Sequence, residues 1–166
     1  KQAKLPTKAA RPLPIAGFDH ENTRSAAHGL SQNWHLSGDI IRGQDFDTWI
    51  QRSLSDEQLV NNLNKAIGSI QAIQSAPRAE DPRLTAKVIL ALDPAGPIRL
   101  GGFATHVDGI GTTLSVGFDN EVTRNQIAEL LVSGVLKTWL GLQGRVKTEI
   151  MNFYGILEKV EGLINL

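Results

Sequence analysis

From Thr123 to the carboxyl end, apolar residues recur at spacings of four and three, and this run constrains the fold more than any other part of the 166-residue chain. Val146, Ile150, Phe153, Leu157, Val160 and Ile164 form a heptad seam, which in a helix lies along one face and must be covered. Running the spacing backwards meets Gln143, Trp139, Leu136 and Val132, so the phase passes through Gly141 and Gly144 with one polar interruption. Thr123 and Gln126 have the spacing of a capping box ahead of the run. The polar stripe behind it is narrow: Glu129, Ser133 and Lys137.

Two structures satisfy this pattern. Preserved phase favours one helix from Thr123 to about Leu163, spanning about 60 Å at 1.5 Å per residue. Glycine costs about 1 kcal/mol in a helix interior, so Gly141 and Gly144 favour a hairpin of two helices instead. The long helix projects past any small sheet and needs a partner, either an earlier helix or a second copy of the chain. In the hairpin the two helices cover each other and the sheet.

Upstream, Ser55 and Gln58 repeat the capping-box spacing, and Leu59, Leu63, Ile67, Ile70 and Ile73 share one helical face. This predicts an amphipathic helix over 56–74, ended by Pro77 and Pro82. Leu84 to Leu92 is apolar or alternating and precedes the turn sequence Asp93-Pro94-Ala95-Gly96. It reads as a strand entering a hairpin. A return strand over 98–107, with a bulge at Gly101-Gly102, and a third strand over 112–118 complete a predicted antiparallel meander spanning 84–118. The stretch 17–54 reads as irregular, with loops and short helical turns wrapping a core. The expected fold class is therefore α+β: the 56–74 helix, a three-stranded meander, and a long helix or helical hairpin over 123–164 packed on the sheet. The length suits one domain, 17–166, preceded by a tail.

Charge and composition narrow the function classes. The chain carries 17 basic and 17 acidic residues, so no global field marks it as a nucleic-acid binder. The opening segment is basic, with Lys1, Lys4, Lys8 and Arg11 ahead of the first acid, Asp19. Pro6, Pro12 and Pro14 oppose helix there. Residues 1–16 are thus expected to be a flexible arm, solvated or touching an anionic surface through Lys1 to Arg11. Absence of cysteine removes disulfides, thiol nucleophiles and thiolate metal sites. No uncharged apolar run approaches the roughly 18 residues of a membrane span. A soluble protein with no retained targeting signal is expected, and a chain opening at Lys1 is expected to have been processed or trimmed.

Candidate chemistry is sparse. His20, His28, His35 and His106 lack the His-x-x-x-His spacing of a helical metal pair, and no serine lies in a Gly-x-Ser-x-Gly turn. Neither a metal nor another cofactor is expected. The one glycine-rich loop is Asp108-Gly109-Ile110-Gly111-Thr112-Thr113-Leu114, whose adjacent amides suit an anion nest. It resembles the Asp-Gly-Val-Gly-Thr-Lys-Leu stretch of aminoimidazole ribonucleotide synthetases, which in that family contributes to the nucleotide site. The resemblance covers seven residues, Thr113 stands where the family has lysine, and the family's activity is not carried over. It implies a phosphorylated ligand at Asp108, Gly109, Gly111, Thr112 and Thr113, against a plain β-turn between strands. Gly17-Phe18-Asp19-His20-Glu21-Asn22-Thr23-Arg24 also matches Gly117-Phe118-Asp119-Asn120-Glu121-Val122-Thr123-Arg124 at six of eight positions. Since the second copy leads into a helix, the first is expected to open one near Thr23 to Leu30.

The leading functional expectation is a non-enzymatic protein–protein interaction or assembly module. It would be oligomeric, with itself or another protein as partner, through Trp139, Ile150, Phe153, Leu157 and Val160. The alternative is a domain or enzyme for a small phosphorylated or apolar ligand at the 108–113 loop.

Overall fold

Residue Asn22 decides where the first helix starts: its side-chain oxygen accepts the Ser25 amide at 2.9 Å, and α1 (Thr23–Gln32) follows. The computed structural model describes residues 6–54, 56–143, 155, 158 and 159. Ahead of α1, β1 (Leu13–Ile15) pairs antiparallel with β2 (Phe18–His20) across Ala16 and Gly17, both at positive φ as a two-residue hairpin demands. Leu13 and Ile15 are buried. Ala9 is buried too, so the latter part of the expected arm belongs to the packed fold.

The 17–54 stretch is far more regular than its scattered apolar residues predict. After α1 come α2 (Trp34–Arg42) and α3 (Gln44–Thr48). A π-helical turn over Trp49–Ser53 follows, closed by the Leu54 amide on the Trp49 carbonyl. The helix predicted over 56–74 is two helices, α4 (Glu57–Ile67) and α5 (Ile70–Ser75). Asp56 caps α4 through the Gln58 and Leu59 amides; Gly68 at φ 80 stops it, and Ser69 caps α5.

The three-stranded meander is replaced by two separate two-stranded antiparallel sheets within an α+β fold. Its first expected strand, 84–92, is α6 (Asp81–Leu92). Pro82, read as a terminator, sits in the first turn, where a missing amide costs nothing. A short apolar run has no period of its own to separate buried helix from buried strand, and here burial on all sides selects the helix. The return strand is a small hairpin, β3 (Ile98–Leu100) and β4 (Phe103–Thr105). Gly101-Gly102 is its turn rather than a bulge, with Gly101 at φ 62 as a type II′ connection requires. The third expected strand, 112–118, is instead α7 (Ile110–Val116). Last come α8 (Glu121–Val132) and α9 (Val135–Leu142). They part at Gly134, at φ 75, and not at Gly141, which lies inside α9.

Helix α6 is the hub of the packing, touching α1, α2, α4, α9 and β3. Val88, Ile89, Ala91 and Leu92 face a core built with Leu13, Ile15, Leu30, Phe46, Ile50 and Leu63. Ala86 and Leu90, four apart and so on one face, join Ile98, Leu130, Val135, Leu136 and Leu140 in a second core. Trp34 packs against both. α9 therefore lies on α6, α4 and β3 rather than across a sheet face.

An ionic clasp ties α2 to α5, to the turn after it and to the start of α6. Arg42 donates to Asp81, through Nε at 3.0 Å, and to the carbonyls of Ile73, Gln74 and Pro77. Both side chains are largely buried, at 11% and 19% exposure. Gly38 lets Asp81 approach: a Cβ there would stand 2.5 Å from its Oδ2. Among the described residues, every buried side-chain nitrogen and oxygen has a hydrogen-bond partner.

Candidate functional site

Three of the exposed large apolar side chains cluster where α7 turns into α8, while Phe18, at 72% exposure, stands alone on β2. Val116 is 86% exposed, Phe118 60% and Val122 64%, within seven residues of chain. The turn is tight because Gly117 has no side chain, since a Cβ would meet Thr123 Cγ2 at 2.6 Å. Asn120 then caps α8 by accepting the Val122 and Thr123 amides at 2.9 and 3.2 Å. This replaces the capping box expected at Thr123 and Gln126. The Arg124 guanidinium donates to the Phe118 carbonyl and stands 5.8 Å from the centre of its ring, which fixes Phe118 outward.

Val122 also borders a crevice of about 580 Å³ between α2, α6, the β3–β4 turn and α8. Trp34, Pro82, Leu100 and Gly101 supply apolar wall, and Gln126 and Glu129 a polar rim. Glu129 is anchored there by Arg83 Nε at 3.0 Å. An apolar crevice with a polar rim, bordered by one residue of an exposed apolar strip, suits the side chains of a docked polypeptide. Sequence reasoning missed this site. Phe118 and Val122, isolated apolar residues among polar ones at a helix entry, were the visible signal; Trp34, Pro82 and Leu100 come from distant segments.

The expected interface residues fare differently. Trp139 is half-buried on α9 and packs against the second core. Ile150, Phe153, Leu157 and Val160 lie outside the described residues. The glycine-rich loop is not a β-turn between strands. Val107–Gly109 form a 3₁₀ turn running straight into α7. Asp108, Gly111 and Thr112 are exposed, and Gly109 and Thr113 half-buried, with the Thr113 hydroxyl donating to the Gly109 carbonyl at 2.9 Å. The loop is thus used as a helix start.

The two related octapeptides both precede helices, α1 and α8, but in different registers. The cap is the sixth residue of the first copy, Asn22, and the fourth of the second, Asn120. His20, in the first copy, shares a hydrogen bond between Nδ1 and Ser25 Oγ at 2.7 Å and rests on Gly29. Burial first, then the nearby His28, hold its pKa below the ordinary histidine value, against opposing contributions from Ser25 and Asp19. Among the described residues, no three His, Asp or Glu side chains converge to hold a metal ion, and no helix is long and apolar enough to cross a membrane. Comparison of the chain with protein-family models, curated proteins and solved structures finds no match.

Proposed function

We propose that the protein is a non-enzymatic protein–protein interaction or assembly module that oligomerises through its C-terminal helical half. The observation that carries this reading is the exposed apolar strip Val116, Phe118 and Val122, whose Val122 borders the Trp34–Leu100 crevice. Isolated exposed apolar residues are ordinary, but three within seven residues, one of them bordering an apolar crevice, favour a docking face. The strip leads directly into α8 and α9, and the sequence beyond α9 carries the heptad spacing of Ile150, Phe153, Leu157 and Val160. Trp139, half-buried at the edge of the second core, belongs to the same half of the chain.

Sedimentation velocity over a range of concentrations tests the reading. The full chain is expected to sediment as an oligomer, and Phe118→Asp with Val122→Asp to shift it toward the single chain while leaving its helical circular dichroism intact. Leu157→Asp is expected to act in the same direction. A chain that remains monomeric at every concentration, or an oligomer indifferent to all three substitutions, overturns the proposal.

A further inference from the structure

A second concave surface, sharing no lining residue with the crevice, lies at the carboxyl end of α6, where Asp93 follows Leu92. It is a cleft of about 560 Å³ between α1, the α6–β3 turn and β3. Arg24 and His28, four residues apart, come from one face of α1, and Arg99 comes from β3, where it alternates with the buried Ile98 and Leu100. Asp93 is the one acid of the lining. It is mostly buried against the turn, where a Cβ on Gly96 would stand 2.4 Å from its Oδ2, and Arg24 Nε lies 3.6 Å from its Oδ1. Its single negative charge is therefore outweighed by Arg24 and Arg99, and no ion pair in the described residues occupies Arg99.

We infer that this cleft binds a phosphomonoester whose remaining part carries hydroxyl groups. Two guanidinium groups from separate elements provide planar, multidentate donation to phosphate oxygens. His28 adds an imidazole donor from the same helix face as Arg24. Asp93, at the cleft's inner wall, accepts a hydrogen bond from a ligand hydroxyl, as a sugar phosphate offers and inorganic phosphate does not. The cleft has the volume of a small-molecule site rather than of a polymer groove. This goes beyond the assembly reading, since none of these residues belongs to the α7–α8 strip.

Titration of the isotopically labelled full chain with inorganic phosphate, glucose 6-phosphate and glucose, followed by amide NMR, tests the inference. Both phosphates are expected to shift amides at 22–28 and 98–100, with glucose 6-phosphate the tighter and glucose without effect. Arg99→Gln removes a side chain that supports no ion pair of the fold, and is expected to weaken glucose 6-phosphate binding about tenfold or more, the loss of one charge-assisted contact. Asp93→Ala, which leaves no side-chain acceptor, is expected to erase the preference for the sugar phosphate over phosphate. Millimolar glucose 6-phosphate that shifts no amides in these segments, or binds Arg99→Gln as tightly as the parent chain, overturns the inference. Equal affinity for both phosphates reduces the site to a simple anion contact and overturns the hydroxyl-recognition part.

Discussion

Arg42 and Asp81 show how one ion pair can hold three segments. A buried charge left without its partner is costly, and removing one member of such a pair destabilises by about 3 kcal/mol or more. Asp81→Ala is expected to lower unfolding free energy by that order in urea melts. The double change Arg42→Met with Asp81→Leu should cost less than Asp81→Ala alone, because no stranded charge remains. His20 supplies a pH effect. Its folded pKa lies below the ordinary value of about 6.5, so the unfolded chain binds the proton more readily. Its contribution to stability is present above pH 6.5 and is lost as pH falls from there toward the lowered folded value. Melting temperatures measured between pH 7.5 and pH 5 should therefore fall less steeply for His20→Gln than for the parent chain. An identical slope in the two proteins would remove His20 from the account.

At the scale of elements, α6 carries the largest consequence. Seven of its residues, Thr85, Ala86, Val88, Ile89, Leu90, Ala91 and Leu92, are buried, so apolar residues surround the helix and erase the periodicity that identifies an amphipathic one. Leu90→Ala is expected to cost about 2–5 kcal/mol, as a cavity at a fully buried site does; a loss well under that range would mean the second core collapses onto the gap. The amphipathic face of α4 was legible because solvent lies on its other side, leaving the Leu59 and Leu63 spacing intact. The break at Gly68 was not, since an interior glycine is tolerated until a cap such as Ser69 follows it. Val116 and Phe118 alternate with polar residues, yet α7 is a helix; a local alternation of three apolar residues is too short to outweigh the helix start provided by Val107–Gly109. The GFD octapeptides signalled two helix entries correctly, while the choice of Asn22 or Asn120 as cap depended on the turns before them. Of the candidate surface, Phe118 and Val122 could be noticed from sequence; the place of Val122 in one crevice with Trp34 and Leu100 arises only when α2, α6 and α8 pack.

For the molecule as a whole, the two cores share α6 and Trp34, and everything else sits around that shared axis. Helix α7, none of whose residues is buried, stays at the periphery. The arrangement orders the ways in which the chain can open. Outer helices can detach while the centre persists, whereas freeing the backbone of α6 requires both cores to come apart together. In deuterated solvent, the amides of Ile89 to Leu92 should accordingly retain their protons longest and release them only with the free energy of complete denaturation, and those of α7 should be replaced first.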